Sequence, residues 1–239
     1  MTTSAEPVRP GPLAARPVVH RPVPEAPRLL RLPGVYRPQE DTALLAAAIG
    51  DLTIPAGARA LDLCTGTGAQ AITLARRGAA TVLALDLSRR ALASVRLNAF
   101  TQRLRVRPRR GSLATALEEG PFDVVVANPP YVPSPAPAVR STRGWDAGAD
   151  GRAVLDPLCS LAGTLLRPGG TMLIVQSALS DVDRSLEVLT VQGLRVGVAR
   201  RARIPFGPVL SGRTAFLETA GLIEPGQRIE ELVVLRADR

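Results

Sequence analysis

From Gly57 onward, apolar runs of strand length alternate with stretches of helical period, and that alternation admits few architectures. It predicts strands over 59–63, 81–85 and 122–127, helices over 69–77 and 89–100, and a weaker strand over 104–107. A helix over 153–166, the turn Arg167-Pro168-Gly169-Gly170, a strand over 171–176 and a helix over 183–191 make a further round. Strands joined by helices pair in parallel, because a tight turn cannot return the chain to the same end of a sheet. The runs 196–204 and 230–235 have no convincing helix between them and read as an antiparallel hairpin closing the sheet edge. The sum is an α/β chain: a mostly parallel seven-stranded sheet with an antiparallel C-terminal hairpin and helices on both faces. At 239 residues and 46% hydrophobic content, the chain buries one sizeable core, so 35–239 is read as a single domain.

Ahead of that domain, residues 1–34 hold eight prolines and five arginines with almost no hydrophobic periodicity, and are expected to be a disordered arm. A helix over 43–49 follows, with Asp41 or Thr42 as its cap. All thirty basic residues are arginine; against 21 acids they leave a net charge of +9 and a pI near 11.2. Such a balance suits an anionic partner such as RNA, touched through the arm, although coding bias in a GC-rich genome accounts for the arginine equally simply. Two cysteines, no secretory leader and no apolar run of about 20 residues point to a reduced cytoplasmic home with no membrane contact. The single histidine, His20, lies in the arm, which removes Ser-His-Asp, Cys-His and histidine-based zinc designs; no metal is expected.

Chemistry enters at two strand ends. Leu61-Asp62-Leu63-Cys64-Thr65-Gly66-Thr67-Gly68 joins the first strand to the first following helix, and Gly66 and Gly68 let a ligand approach the backbone. Asp86 ends the next strand, eighteen residues beyond Gly68, where an acid accepts both hydroxyls of an adenosine ribose. Gly66-x-Gly68-x-x-Ala71 also fits a dinucleotide fingerprint, which makes NAD the competing cofactor. Asp62 argues against it, since a carboxylate there repels a pyrophosphate but attracts the ammonium of a methionine moiety. S-adenosylmethionine is the favoured cofactor. Cys64 is read as a small packed side chain whose backbone lines the pocket, for no base accompanies it.

The second strand end is Asn128-Pro129-Pro130-Tyr131, reached through the apolar run 122–127. Two prolines stop the strand, so the Asn128 amide and nearby carbonyls are free to face a guest, and a planar amino group suits them. The Pro- and Gly-rich stretch 129–151 is too long for an idle connection.

On these residues, 35–237 resembles the class I S-adenosylmethionine-dependent methyltransferases, which have a Rossmann-like fold, and among them the HemK-like protein-glutamine N5-methyltransferases. Val35-Tyr36-x-Pro38-x-Glu40-Asp41-Thr42-x-x-Leu45 is similar to the opening of that group's shorter branch, known from archaea and eukaryotes. Trp145-Asp146-Ala147-Gly148-Ala149-Asp150-Gly151-Arg152 is similar to the family's Trp-x-Gly-Gly-x-x-Gly segment, departing from it at Ala147. Gly111-Ser112-Leu113 also departs, because the family commonly has an Asp that holds the adenine amino group; the Ser112 hydroxyl accepts one such bond more weakly.

The resemblance implies methyl transfer to the glutamine amide of a Gly-Gly-Gln loop in a class I release factor. It makes Asn128, Pro129, Pro130 and Tyr131 the catalytic segment. The Asn128 side-chain oxygen and the Pro129 carbonyl each accept an N–H of the target, and Tyr131 stacks on it. Thr42, Asp62, Cys64, Gly66, Gly68, Asp86, Ser112, Leu113 and Asn128 then line the cofactor. A small zinc-binding activator subunit serves eukaryotic relatives in the branch, and the residues leave open whether this chain shares it. Two other functions compete: N-methylation of an exocyclic amino group of adenine or guanine in rRNA or DNA, and cofactor binding without catalysis.

Overall fold

The computed structural model describes residues 29–135 and 144–239. Its sheet has seven strands, β1 (Arg59–Leu63), β2 (Thr81–Asp86), β3 (Val106–Arg110), β4 (Phe122–Ala127), β5 (Leu166–Ser177), β6 (Arg195–Pro205) and β7 (Ile229–Asp238), in the order β3-β2-β1-β4-β5-β7-β6. The first five run parallel, and β7 lies antiparallel between β5 and β6. This is the Rossmann-like methyltransferase arrangement. Central strands β1 and β4 are buried along almost their whole length, and β4 is apolar but for Asp123, because helices cover both faces and leave no side for water.

The chain order reverses between β1 and β4, and in open α/β sheets ligands bind in the crevice above such a switch. The register sharpens the point. Leu63 pairs with Ala127 on one side and with Leu85 on the other, so the residues that follow, Cys64, Asn128 and Asp86, emerge level on one rim. Neighbouring strands lie about 4.8 Å apart, which makes the glycine turn and the asparagine next-door structures.

Helix α1 (Glu40–Gly50) packs against β5, β6, β7 and α2 (Ala69–Arg76), bringing its first turn over the carboxyl rim. Its cap is Gln39, whose side chain and that of Thr42 bond reciprocally to backbone, rather than Asp41 or Thr42 alone as the sequence suggests. Helix α3 (Arg89–Thr101) is capped by Ser88, whose hydroxyl accepts from the Ala91 N–H, and packs on β2 and β3. Order starts earlier than residue 35: Leu30 exchanges two hydrogen bonds of 2.8 Å with the Asn98 side chain, and the Leu32 N–H reaches Ser94. The arm over 1–28 lies outside the described residues.

Other elements depart from expectation. Strand β3 sits further along than 104–107, and α4 (Leu113–Glu119) was not foreseen. The helix over 153–166 is two pieces, α5 (Leu155–Ser160) and α6 (Ala162–Leu165), and the Arg167 turn falls within the span of β5. A short 3₁₀ turn (Ala178–Ser180) follows β5 and leads into α7 (Val182–Val191). The β6–β7 connection carries α8 (Pro208–Ser211) and α9 (Thr214–Thr219), where the sequence reads as helix-free. These two build a small second core of Leu210, Leu217 and Ile223 that reaches Val132 and Leu179.

Both outer strands are rich in arginine. Strand β3 reads Val106-Arg107-Pro108-Arg109-Arg110, and β6 carries Arg195, Arg200, Arg201 and Arg203 before ending at Pro205.

Candidate active site

Asp62 projects from β1 beneath the glycine turn and is 1% exposed. Its Oδ2 accepts from the Thr65 hydroxyl at 2.5 Å and from the Ala71 N–H at 2.9 Å. The second bond caps α2 from below, because Gly68 at the N-cap position has no side chain to do so. Oδ1 is buried with no partner, and so is Gln70 Oε1 nearby in sequence. Burial pushes the Asp62 carboxyl up to about 7, against the Thr65 and Ala71 bonds that lower it, with the Asp86 charge adding to the rise.

The turn itself is left-handed at three places: Cys64 at φ 61°, Gly66 at 54° and Gly68 at 87°. A non-glycine residue there costs about 1–3 kcal/mol, a strain that functional turns tolerate. Gly66 faces open space, whereas a Cβ at Gly68 would press on Val95 at 3.1 Å. Gly66 thus leaves its backbone open on that side, while Gly68 answers to helix packing. Cys64 is half-buried, and burial raises its thiol to about 12, so it is no nucleophile at neutral pH.

Asp86 is half-buried at the end of β2, with Oδ2 accepting from the Gly66 N–H at 3.0 Å and Oδ1 from the Ser88 N–H at 2.8 Å. A carboxylate has about four lone-pair positions, so about two remain open for a ligand's donors. Ser112 is exposed just past β3, two residues beyond the Arg110 that pairs with Asp86, and Leu113 begins α4 with its side chain against the core. Thr42 is 4% exposed, and its hydroxyl serves the α1 cap while its carbonyl accepts from Gln70 Nε2 at 2.9 Å. Its side chain is therefore committed within the fold.

Asn128 stands half-buried at the end of β4, and the group that positions it is Asp41, a role that sequence reasoning missed. Asp41 Oδ2 accepts from Tyr36 Oη at 2.9 Å, Asn128 Nδ2 at 3.0 Å and Tyr131 Oη at 3.1 Å. Its Oδ1 accepts from the Thr42 N–H at 2.5 Å. A carboxylate only accepts, so the Asn128 amide must turn its NH₂ inward and its oxygen the other way. Tyr131 is 9% exposed; its hydroxyl props Asp41 and its carbonyl accepts from Ser180 Oγ at 2.6 Å, so it is seated in the core more firmly than a stacking platform needs. Burial and the Asp41 charge raise both tyrosine hydroxyls well above their ordinary range, so they stay donors. Pro129 is buried and Pro130 half-buried.

Beyond Tyr131 the two limbs of the long loop zip together. Val132 N–H bonds the Trp145 carbonyl at 3.0 Å, Ala147 N–H bonds Val132 at 3.1 Å, and Ser134 N–H bonds Gly148 at 2.8 Å. Arg213, from the α8–α9 connection, grips both limbs through the Pro133 carbonyl at 2.8 Å and the Asp146 carboxylate. Arg152, 2% exposed, anchors the far end on Asp156, the Ser180 and Asp181 carbonyls and the Ser185 hydroxyl. Residues 136–143 of the long stretch 129–151, which fall in the 133–143 loop expected to touch the acceptor, lie outside the described residues.

The rim thus gathers a glycine turn, the strand-end acid Asp86, a buried Asp62 oxygen with no partner among the described residues, and an oriented amide; among the described residues no group of three or more His, Cys, Asp or Glu could hold a metal. A cleft of about 360 Å³ lined by Arg59, Arg105, Arg107 and Phe122 lies at the opposite, amino end of β1–β3 and contains none of these groups. Fold and rim together define a class I methyltransferase that uses S-adenosylmethionine.

Residues 27–194 match the methyltransferase small domain family. A release factor glutamine methyltransferase of Mycobacterium tuberculosis is 31% identical over 218 residues, covering 82% of this chain and 70% of that one. A protein described as a candidate N5-glutamine methyltransferase of Methanocaldococcus jannaschii is 29% identical over 177 residues, covering 73% and 88%. Among solved structures, the Mtq2–Trm112 complex of E. cuniculi, responsible for methylation of the termination factor eRF1, superposes with a TM-score of 0.60 at 23% identity, over 86% of this chain and 99% of that one. The chain belongs to the methyltransferase small domain family and is an S-adenosylmethionine-dependent N-methyltransferase of the protein-glutamine methyltransferase family. Among the described residues no helix is long and apolar enough to cross a membrane.

Proposed function

We propose that this chain methylates the side-chain amide nitrogen of a glutamine in a protein, the Gly-Gly-Gln loop of a class I peptide chain release factor. The observation that carries this reading is the Asn128 amide, turned by Asp41 so that its oxygen is left for a guest, one strand away from the glycine turn. The name of the mycobacterial relative supports the same acceptor.

In this reading Asp62 Oδ1 receives the ammonium of the cofactor's methionine moiety, Asp86 the ribose hydroxyls, and Ser112 the adenine amino group. Bound there, the cofactor supplies a methyl group on a cationic sulfonium. An amide nitrogen is a poor nucleophile, because its lone pair is delocalised into the carbonyl. The Asn128 oxygen and the Pro129 carbonyl each take one of its N–H groups, which orients the remaining nitrogen density at the methyl. Positioning of this kind supplies roughly 7–11 kcal/mol of a barrier, so no strong base is required. The surplus proton leaves to water after transfer.

The test is incubation of the purified chain with labelled cofactor and release factor, beside rRNA and DNA arms and with or without a small zinc-binding activator subunit. Label in the release factor, lost when the loop glutamine is changed to alanine, supports the reading; label in RNA or DNA, or in neither, refutes it.

A further inference from the structure

One carboxyl on the carboxyl rim has no role in what precedes. Glu230 is 8% exposed, and its Oε2 is buried without a hydrogen-bond partner among the described residues. Strand β7 runs against β5, and Leu232 pairs with Ser177, the last residue of β5. Glu230 therefore stands two residues further out, at the rim from which Asn128 also rises.

Its surroundings are acidic. Asp41 and Glu40 of α1 both oppose its ionisation, and among the described residues only the Ser177 hydroxyl favours it. Helix α1, which carries Asp41, packs on β7, and Glu230 is one of the charges felt by the Tyr131 hydroxyl, so Glu230 shares the side of the rim on which the Asp41–Tyr131–Asn128 group lies. Arginine is not scarce here, since the adjacent Glu231 pairs with Arg201 across β6. Glu230 has no such partner among the described residues. A buried carboxyl oxygen that the fold leaves bare calls for a donor from outside.

We propose that Glu230 is an acceptor-binding residue whose Oε2 receives a hydrogen bond from an N–H donor that flanks the methylated nitrogen. The inference rests on the amide-methyltransferase reading and deepens it by adding a second recognition point beside Tyr131. The flanking donor is either a neutral backbone N–H or a cationic side chain, two sources of one chemistry.

Steady-state transfer to a release factor bearing a Gly-Gly-Gln loop tests it with Glu230→Leu and Glu230→Gln. The leucine variant is expected to raise the acceptor KM at least about tenfold, with kcat within about threefold, cofactor Kd unchanged and thermal midpoint equal or higher. A purely structural carboxyl would not split KM from kcat in this way. Glu230→Gln keeps an acceptor oxygen. It is expected to hold KM within about threefold if the donor is a neutral N–H, and to match the leucine variant if the donor is a cation. Should the leucine variant not fold, Glu230→Ala carries the same comparison. An unchanged KM in the leucine or alanine variant overturns the inference alone, whereas no transfer by the wild-type protein overturns the proposed function and the inference with it.

Discussion

Asp41→Asn tests the orientation of Asn128 directly. In the wild-type protein one carboxylate oxygen takes the Thr42 N–H at 2.5 Å, while the other takes Tyr36, Asn128 and Tyr131. The substituted amide keeps its oxygen on the short Thr42 bond and turns its NH₂ toward the remaining three groups. Both tyrosine hydroxyls can rotate to accept, so folding loses only about 1 kcal/mol. Asn128 cannot donate to a donor. Its amide rotates by half a turn and shows its NH₂ to the guest where an oxygen stood. The acceptor nitrogen, gaining positive charge as the methyl arrives, then loses a hydrogen bond of about 1.5–3 kcal/mol. At about 1.4 kcal/mol per tenfold, kcat should fall roughly 10- to 100-fold. Methyl transfer from labelled cofactor reads this directly, with calorimetry showing cofactor Kd unchanged and a melt showing the protein folded. A folded variant whose kcat stays within about twofold of wild type refutes the orientation argument.

Asp62 links cofactor binding to pH. Its carboxyl lies near 7 in the folded chain against an ordinary 3.8, so between those values the folded state holds the extra proton. Stability from this group is therefore full below about 3.8 and lost as pH rises through 7. Glu230, raised from 4.5 to about 7, acts with the same sign. At about 1.4 kcal/mol per pKa unit, the Asp62 contribution is roughly 4 kcal/mol. Asp62→Asn should flatten the decline in thermal midpoint between pH 5 and 8 while weakening cofactor binding about 100-fold; a variant with the wild-type pH slope contradicts the assignment. In wild type, cofactor should bind more tightly at pH 8 than at pH 6 with proton release, measurable by calorimetry in two buffers of different ionisation heat. Arg213→Met should lower stability by about 2 kcal/mol in denaturant titration and raise hydrogen exchange at Val132 and Ser134, since it frees a nearly buried pair and the Pro133 carbonyl. Unaltered exchange there rules out the grip. Gly151→Ala should cost more than about 1 kcal/mol, because φ is +75° and a Cβ would run into the Tyr131 carbonyl and the Ser180 hydroxyl; an unchanged denaturant midpoint would overturn that.

The central strands were legible because burial on both faces writes an apolar run with clear ends: β1 and β4 fall on the residues that the pattern marks. Elements with weaker incentives were not. Helix α4 has seven residues with only Ala116 buried, and α8 and α9 are four and six residues long, too short to repeat a period. Pro157 lies inside the first of two pieces where a single helix was expected. The site shows the same division. Glycines and strand-end acids carry their meaning locally, but Asp41 reaches Asn128 across 87 residues of chain, and nothing in the spacing announces it. Glu230 is similarly mute until β7 is known to run antiparallel beside β5.

The arginine-laden outer strands bear on how this molecule meets others. Lengthening the sheet at β3 demands a newcomer that tolerates a missing donor at Pro108 beside Arg107 and Arg109, which Glu119 already holds; at β6, Arg200 and Arg201 are likewise held by Asp51 and Glu231, and the strand ends at Pro205. Fibre growth by strand stacking is discouraged at both ends, because each margin offers a proline and a row of long, engaged side chains where a new strand would need bare backbone.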